Sequence, residues 1–268
     1  MRVSIVTVSF NQGRYLERAI RSVAAQDHDD IEHIMVDAGS RDGSRDIIER
    51  FRDRLAAIVL EPDRGAPDGL NKGFALATGE IFAYLNADDE YLPGAVRAAV
   101  AAFEQQADAG IVVGHGYIVD ADGRPIRRFR SASFSRWRFA RGAAVVMQQS
   151  TFFRAEAFRA TPGFNVANRT SWDAELYLDM CLAGARVHVA EGYWSLFRIH
   201  PESISGHGRL RAESARNHRR YFRRVTGRRP RPSDRASFLM ARGVRWLADP
   251  RGLLERSRDF VRAPVLPP

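Results

Sequence analysis

The amino-acid sequence predicts an α/β protein with a mostly parallel sheet flanked by helices. Apolar runs of strand length alternate with helical patterns through the first half of the chain, and single helices separate the strands. A strand, a helix and another strand in this order form a right-handed crossover between parallel strands. The chain has 268 residues, of which 45% are apolar, so it is long enough for one large domain, alone or with a small appendage.

The first half of the chain contains four predicted strands, each followed by a predicted helix. Residues 3–8 are nearly all apolar, as expected of a strand that is covered on both faces. Residues 14–25 then place apolar side chains on one helical stripe. The later elements of this half are strands at 31–36, 56–60 and 81–85 and helices at 44–51, 68–77 and 93–105.

The second half is less regular and ends in a basic tail. Its patterns predict a helix at 171–183, a loop that enters a strand at 148–153, and strands at 187–190 and 193–199. Two further predicted strands, at 111–113 and 117–119, follow the last helix of the first half. Beyond residue 205 an Arg-rich helical pattern is interrupted at 227–232 and near Pro250. We therefore divide the chain into a large α/β domain at 1–205 and an Arg-rich helical C-terminal extension at 206–268.

Polar residues follow each of the four strands in the first half. Asn11 follows the first strand, Asp37 the second, Glu61 and Asp63 the third, and the acidic stretch at 86–90 the fourth. The carboxyl ends of parallel strands meet at one edge of a sheet, and α/β proteins bind their ligands there. These side chains therefore predict a site, although a polar turn is the alternative for any one of them.

Composition excludes several classes of protein. No stretch approaches the roughly 18–20 uninterrupted apolar residues that a membrane-spanning helix needs. Strand-like residues follow Met1 almost at once, without the pattern of a signal peptide, so we expect a cytoplasmic protein. Cys181 is the only cysteine, which excludes an internal disulfide and a cysteine-based zinc site.

The net charge of +9 is unevenly distributed. From Ser205 to the end there are 17 Arg against 5 Asp and Glu, which leaves the rest of the chain with a net charge of −3. Such a tail suits anionic lipid head groups, phosphate-linked substrates or nucleic acid, and a solvated helical surface is the alternative. No nucleic-acid-binding motif accompanies the arginines, so we expect no specific nucleic-acid partner.

Seven short motifs follow one another along the chain: VTVSFN at 6–11, VDAGSRDGS at 36–44, NKG at 71–73, NADD at 86–89, QSTFFR at 149–154, WDAEL at 172–176 and FRIHP at 197–201. In this order and spacing they resemble glycosyltransferase family 2, although each motif alone is weak. The resemblance covers about residues 2–205. It implies the GT-A fold and an inverting transfer of a sugar from a nucleotide-sugar donor.

The resemblance implies a nucleoside contact at Asp37, because a carboxylate there accepts hydrogen bonds from a pyrimidine N–H or a ribose hydroxyl. Where many relatives have two consecutive acids, Ala38 follows Asp37 in this chain. The alternative is that Asp37 only caps the turn before Gly39. The residues expected beside the nucleoside are Thr7, Ser9 and Asn11.

The segment 61–73 is the expected position of the diphosphate and of further donor contacts. Leu70 stands where many relatives carry an arginine before Asn71, so the diphosphate contact falls to Lys72 or to a later arginine. Asp68 binds a ribose or sugar hydroxyl, or caps the helix that follows, and both interpretations stay open.

The resemblance also implies a cation site after the fourth strand. Asp88 matches the second acid of the family's metal motif, while Asn86 replaces the first and Ala87 lies between them. Asp89 is expected to help directly or through water. The implied cofactor is Mn²⁺ or Mg²⁺, which neutralises the charge that develops on the leaving diphosphate. An acidic turn is the alternative.

Two residues late in the domain complete the implied site. His200 resembles the histidine that approaches the metal or diphosphate in some GT-A enzymes, and Arg198 would add positive charge there. The alternative for His200 is a structural role.

Asp173 is the expected catalytic base, because the family places such an acid at the N-terminus of a helix. A carboxylate there can take the proton of the acceptor hydroxyl as it attacks the anomeric carbon. The alternative is that Asp173 only stabilises the helix through its interaction with the helix dipole. Trp172 either stacks on a sugar face or only packs against other side chains of the protein.

The resulting hypothesis is an inverting transferase that uses a nucleotide sugar, UDP-linked, and a carbohydrate or lipid-linked acceptor in surface polysaccharide or glycolipid biosynthesis. The basic tail is expected at the inner face of an anionic membrane, because aromatic and leucine residues lie among its arginines: Tyr221, Phe222, Phe238, Trp246, Leu253, Leu254 and Phe260. A nucleotide-binding protein without transfer activity is the alternative, since Ala38, Leu70 and Asn86 depart from the family's pattern.

Overall fold

The computed structural model describes residues 1–132, 134–203, 211–261 and 266. Its centre is a nine-stranded mixed sheet with strands in the order β3-β2-β1-β4-β8-β6-β9-β5, and β7 pairs with β6. The strands of the first half are β1 (Val3–Ser9), β2 (Ile31–Asp37), β3 (Ala57–Val59) and β4 (Ile81–Asn86). The helices between and after them are α1 (Gly13–Ala24), α2 (Ser44–Arg50), α3 (Ala66–Leu76) and α4 (Ala95–Gln105).

The first four strands are parallel, as the sequence predicts. β1 lies between β2 and β4, and β3 pairs with the outer edge of β2. Ser9 pairs with Asp37, and Val8 pairs with Asn86. The three strands therefore end at nearly the same level, which brings the polar residues after them to one edge of the sheet.

The rest of the domain contributes five further strands and three further helices. β8 runs antiparallel to both β4 and β6, while the long strands β6 and β9 pair in parallel. The elements are β5 (Glu90–Tyr91), β6 (Ala109–Val119), β7 (Pro125–Phe129), β8 (Thr151–Arg154), β9 (Arg186–Arg198), α5 (Arg136–Ala140), α6 (Ala155–Arg159) and α7 (Trp172–Leu182).

The structure joins the short strands that the sequence predicts on either side of residues 114–116 and 191–192. Each pair is one long strand, β6 or β9, with irregular register near Val113 and His115. Gly114 makes this possible, since a Cβ there would lie 2.3 Å from the Trp194 ring. Glycine therefore marks a close approach between two strands rather than a break between them.

Two apolar clusters cover the two faces of the sheet. Alternate residues of β4 divide between them: Ile81, Ala83 and Leu85 join one cluster, while Phe82 and Tyr84 join the other. Helices α1 and α4 cover the first face, and α3 and α7 cover the second. This alternation follows from the two-residue period of a strand and explains why the central strands are apolar throughout.

The C-terminal extension consists of α8 (Arg211–Thr226), α9 (Asp234–Ala248) and α10 (Pro250–Val261). The helices break where the sequence predicts, at 227–233 and at Asp249. The predicted boundary at 205 and 206 lies outside the described residues. Tyr221 and Phe222 of α8 are only 4% and 0% exposed, so α8 packs on the rest of the protein. In the part of the chain that the structure describes, no helix is both long enough and apolar enough to cross a membrane.

Candidate functional site

The loops after β1 and β2 are tied together by hydrogen bonds. The Asn11 N–H donates to Ser40 Oγ at 2.8 Å, and the Arg41 N–H donates to Asn11 Oδ1 at 2.9 Å. Asn11 has a φ of 53°, a left-handed conformation that asparagine tolerates better than most residues. The predicted contact residue Asn11 therefore lies at the expected edge of the sheet, where its side chain holds the neighbouring turn.

Asp37 lies at the end of β2 with its carboxylate fully buried. Its Oδ1 accepts hydrogen bonds from the Gly39 and Ser40 N–H groups at 3.0 and 2.9 Å and from Arg45 Nε at 3.1 Å. Its Oδ2 accepts the Ser40 hydroxyl at 2.5 Å. The structure thus shows the turn-capping arrangement that the sequence leaves as the alternative, and the nucleoside contact stays a prediction.

The structure separates two residues of β1 that the sequence expects together at the nucleoside. Thr7 is fully buried, and its hydroxyl forms a 2.9 Å hydrogen bond with Nε2 of His33. Burial lowers the pKa of His33 to about 4, so this ring is neutral and serves the core. Ser9 differs: its buried Oγ has no hydrogen-bond partner among the described residues and lies at the strand end. Ser9 therefore keeps a free polar group for a ligand, and Thr7 does not.

Helix α3 presents three of the expected donor-binding residues. Asp68 accepts the Arg64 N–H and guanidinium, each at 3.1 Å, which closes the loop before the helix. The hydrogen bond from the Arg64 guanidinium holds the pKa of the Asp68 carboxyl below its usual range. Lys72 donates to the Pro62 carbonyl at 2.7 Å. Asp68 and Lys72 thus shape the loop that precedes α3, and both stay at the predicted edge of the sheet.

Asn71 is placed differently from the expectation. Its amide donates to the Phe164 carbonyl at 2.8 Å, and its Oδ1 accepts the Phe164 N–H at 2.8 Å. The amide is thereby committed on both sides to a distant segment of backbone. In this structure Asn71 anchors α3 rather than facing a substrate.

Asp88 and His200 meet at the end of β4, although 112 positions separate them in sequence. The His200 Nε2 lies 3.0 Å from Asp88 Oδ2, and the Asp88 side chain is 15% exposed. The Tyr15 ring of α1 packs on His200, with ring centroids 4.9 Å apart. The two residues that the sequence predicts at a cation therefore lie side by side.

Asp89 occupies a different position from its predicted role. It is 1% exposed, and its Oδ1 accepts the Arg198 N–H at 2.9 Å. Its Oδ2 accepts the amide of Gln149 at 2.8 Å and that of Asn86 at 3.2 Å. Because protein donors satisfy both oxygens, Asp89 supports the loop that carries Asp88 and does not face a ligand.

Arg198 also differs from the expectation that it faces the substrate. It is 1% exposed, and its guanidinium forms an ion pair with Glu90. It donates further to the Asp88 carbonyl at 3.0 Å and to the Asp120 carbonyl at 3.1 Å. The Arg198 side chain therefore binds the acidic loop from the protein interior, and Glu90 neutralises its charge.

Asn86 and Ala87 connect this loop to the segment before β8. The Asn86 amide also donates to Gln148 Oε1 at 3.3 Å, while Ala87 is buried and its N–H donates to the Val8 carbonyl. Sequence reasoning assigned no site role to Gln148 and Gln149. The signal was present, because paired glutamines at the start of a buried strand need polar partners.

Asp173 lies in the first turn of α7, as the sequence predicts, and is partly buried. Burial raises the pKa of its carboxyl, and N–H groups at the start of the helix oppose that shift. Tyr84 and Tyr177 are 1% and 3% exposed, and burial raises the pKa of both phenols, with a further contribution from the charge of Asp173. Trp172 packs on the same cluster as the two tyrosines.

A polar cluster joins the N-terminal end of α7 to helix α8. Glu175 is 5% exposed and accepts hydrogen bonds from Asn168 Nδ2 at 2.7 Å and from Arg220 at 2.5 Å. The Tyr221 hydroxyl accepts Asn168 Nδ2 at 2.8 Å and donates to the Ser171 carbonyl at 3.1 Å. The helix end that carries Asp173 is therefore fixed by the C-terminal extension, which the sequence did not predict.

The residues after β4 suit an ion that brings most of its own ligands. Asp88 offers a carboxylate oxygen and His200 a ring nitrogen, and both atom types bind Mn²⁺. Within the described ranges, no group of three or more His, Cys, Asp or Glu could hold a metal ion. The pair therefore fits a divalent cation that arrives with diphosphate and water, and does not form a closed metal cage.

Comparison with known proteins identifies the family. The chain matches the family described as Glycosyl transferase family 2 over residues 4–161, which is more than half of its length. The chain belongs to glycosyltransferase family 2. The match includes β1 to β4 and their loops, and thus most of the residues discussed above; Asp173, Arg198 and His200 lie beyond it.

Three curated relatives show how far the similarity of this family 2 chain extends. An uncharacterised glycosyltransferase of Nostoc sp. is 41% identical over 129 residues, 47% of this chain and 40% of the relative. An uncharacterised glycosyltransferase of Mycobacterium tuberculosis is 31% identical over 67% of this chain and 69% of its own length. A Campylobacter jejuni GalNAc(5)-diNAcBac-PP-undecaprenol beta-1,3-glucosyltransferase is 32% identical over 35% of this chain and 32% of its length. The chain thus matches less than half of two of these relatives.

Solved structures confirm the GT-A fold of this family 2 protein. Staphylococcus aureus TarS 1-349 in complex with UDP-GlcNAc aligns with a TM-score of 0.69 at 16% identity, over 92% of this chain and 73% of that one. Mannosyltransferase PcManGT from Pyrobaculum calidifontis, in complex with GDP-Man and Mn²⁺, aligns with a TM-score of 0.64 at 19% identity, over 99% and 76%. At these identities the likeness concerns the fold.

Proposed function

We propose that this chain is an inverting glycosyltransferase that moves a sugar from a UDP-linked donor to an acceptor hydroxyl. The observation that carries the proposal is the contact between Asp88 and His200 at the end of β4. Two motifs far apart in sequence meet there, at the sheet edge where α/β proteins bind ligands. Membership of family 2 and the UDP-sugar complex of a structural neighbour support the same function.

In the proposed reaction Asp173 is the general base. The acceptor oxygen forms a bond to the anomeric carbon while its proton passes to the Asp173 carboxylate. The bond between that carbon and the diphosphate oxygen breaks from the opposite face, and its electron pair leaves with the nucleotide. The raised pKa of Asp173 suits this role, because a more basic carboxylate is a better proton acceptor.

The remaining site residues orient the donor. Asp88 and His200 would hold a divalent cation, Mn²⁺ or Mg²⁺, which when bound neutralises the charge on the departing diphosphate. The Ser9 hydroxyl, which has no partner among the described residues, and the turn held by Asp37 and Asn11 would contact the nucleoside. Lys72 of α3 would contact the diphosphate.

We further propose a carbohydrate or lipid-linked acceptor and a role in surface polysaccharide or glycolipid biosynthesis. The support is the Campylobacter jejuni relative, which is named as a beta-1,3-glucosyltransferase of GalNAc(5)-diNAcBac-PP-undecaprenol. A lipid-linked acceptor is consistent with work at the cytoplasmic face of a membrane.

A nucleotide-binding protein without transfer activity is the second candidate. It is favoured by Asn86, whose amide is committed to Asp89 and Gln148 where relatives carry an acid. The discriminating measurement is release of UDP from UDP-sugars with added manganese. Release that increases with acceptor supports transfer, whereas tight binding without release supports the second candidate.

The first experiment is a thermal-shift screen of nucleotide sugars with Mn²⁺. A ligand that binds only the folded state raises the melting temperature, and the largest shift identifies the donor. Asp88→Ala should abolish the Mn²⁺-dependent part of that shift. A shift that is the same with and without Mn²⁺, in wild type and variant alike, would exclude the cation site.

A further inference from the structure

The outer surface of the C-terminal extension exposes large apolar side chains. On α9, Leu239 and Met240 are 69% and 55% exposed, and Val244, four residues beyond Met240, is 40% exposed. On α10, Leu253 and Leu254 are 41% and 61% exposed. We call these five side chains the apolar face. Five large exposed apolar side chains on two successive helices suggest a surface that meets a partner, whereas single exposed leucines need no explanation.

Exposed arginines lie beside the apolar face on both helices. Arg235 precedes Leu239 by four residues on α9. Arg251 and Arg258 lie three residues before and four residues after Leu254 on α10. Residues at these spacings are neighbours on a helix surface. All three arginines are exposed, and none has a carboxylate within ion-pair distance among the residues that the structure describes.

The acidic residues of the extension do not offset this charge on the outer surface. All five take internal partners: Glu213 accepts the Arg169 N–H, Asp234 pairs with Arg228, Asp249 with Arg130, Glu255 with Tyr193, and Asp259 with Arg128. Four of these partners belong to the body of the protein. None of these acids forms an ion pair with Arg235, Arg251 or Arg258 among the described residues.

We propose that the apolar face and its arginines dock on an anionic lipid bilayer. Leucine and methionine side chains would enter the boundary between head groups and acyl chains, and the guanidinium groups would contact lipid phosphates. Charge complementarity selects this partner, because the surface joins unpaired cations to apolar side chains. The proposal goes beyond the transfer reaction and does not depend on it.

The structure also corrects the surface that the sequence predicts for the membrane. Tyr221 and Phe222 are buried between α8 and the body, so they cannot meet lipid. Phe238 is partly buried and stacks on Phe222, with ring centroids 5.7 Å apart. The side chains of Trp246 and Phe260 lie outside the described ones. Of the predicted residues, Leu253 and Leu254 remain on the surface.

Sedimentation of the full chain with lipid vesicles tests the proposal. Vesicles of phosphatidylcholine with phosphatidylglycerol should bind the protein, and vesicles of phosphatidylcholine alone should bind it far less. Leu239→Glu combined with Leu254→Glu should weaken binding about tenfold or more, because two apolar side chains no longer leave water. Arg251→Glu combined with Arg258→Glu should weaken it similarly and reduce its dependence on salt.

Leu76→Glu is the matched control, since Leu76 is 48% exposed at the end of α3, away from the apolar face. It should bind vesicles like the wild type. Equal vesicle binding by the double leucine variant and the wild type would overturn the proposal. So would equal binding to both kinds of vesicle, or tighter binding to a mixed-sequence nucleic acid that the leucine variant retains. None of these measurements uses a sugar donor, so failure here leaves the proposed transfer untouched.

Discussion

At the scale of single residues, substitution of Asp173 should impair catalysis without impairing donor binding. Asp173→Asn keeps the shape of the side chain and removes its ability to take a proton, so transfer should fall by at least about a hundredfold. Binding of the donor nucleotide, measured by the thermal shift, should stay nearly unchanged. Glu104→Gln is the matched control, because it makes the same chemical change at an exposed position of α4. Transfer by Asp173→Asn at the wild-type rate would show that the base is another residue.

The raised pKa of Asp173 also predicts how stability depends on pH. Burial favours the protonated carboxyl in the folded state, so the folded protein binds more protons than the unfolded chain between the two pKa values. Ionised Asp173 therefore destabilises the fold, and this penalty appears as the pH rises through the folded-state pKa. Asp173→Asn should raise the melting temperature at pH 7, and the gain should vanish as the pH falls below the ordinary range of aspartate. A gain that is independent of pH would contradict this account.

Asp88 and Asp89 are adjacent in sequence, but their substitution should destabilise the fold to very different extents. Asp89→Ala leaves the buried Arg198 N–H and the Gln149 amide without acceptors, and should cost about 3–5 kcal/mol of folding free energy. Asp88→Ala removes one contact at a partly exposed position and should cost about 1 kcal/mol or less. Urea unfolding of the two variants measures both values. Similar losses in both would mean that Asp89 does not support the loop.

Residue types alone could not show which charged residues at this edge face a ligand and which face the protein interior. The sequence placed Asp37, Asp88, Asp89 and Arg198 correctly at one edge of the sheet, because strand ends in a parallel sheet share a level. It could not show that Arg198 and Asp89 face inward, since that depends on the pairing of β9 with β6 and with β5, the short strand that follows Asp89. Nothing in local patterns encodes such a contact between residues 109 positions apart.

At the scale of elements, α8 should influence the helix that carries Asp173. Tyr221→Phe removes the hydroxyl that bonds Asn168 and Ser171, and should cost about 1–2 kcal/mol of stability. We also expect a lower kcat with an unchanged KM for the donor, because the start of α7 loses support. Tyr91→Phe is the control: Tyr91 is buried, and its hydroxyl has no hydrogen-bond partner among the described residues. A loss of stability with unchanged kcat would show that the cluster has only a structural role.

Elements with strong periodicity were predicted well, and those set by tertiary contact were not. The first four strands lie within a few residues of their predicted positions, because runs of buried apolar residues need little context. The two-residue strand β5 and the strand β7 were missed. β5 is held by its pairing with β9, and β7 is polar and lies on β6. The continuous β6 and β9 were also missed, because glycines at a close approach look like turn signals in sequence.

At the scale of the whole molecule, the extension shares its stability with the domain. Asp259 is 9% exposed and accepts the Arg128 guanidinium and backbone N–H, each at 2.7 Å. Arg128 lies in β7, whose outward side would otherwise face water. Together with the cluster around Glu175, this contact ties both ends of the extension to the body. The division of the chain at 205 therefore follows composition and charge rather than packing.

The full chain should accordingly unfold in one cooperative transition. Removal of residues 206–268 takes away the Arg220 partner of Glu175 and uncovers the surface under Phe222, which is fully buried in the full chain. Burying one such aromatic side chain stabilises a protein by about 1.5–3 kcal/mol, so the shortened chain should melt well below the full one. Calorimetry of both chains measures this, with the calorimetric and van't Hoff enthalpies of the full chain expected to agree. Two separate transitions in the full chain, or an unchanged melting temperature for residues 1–205, would show that the extension folds independently of the body.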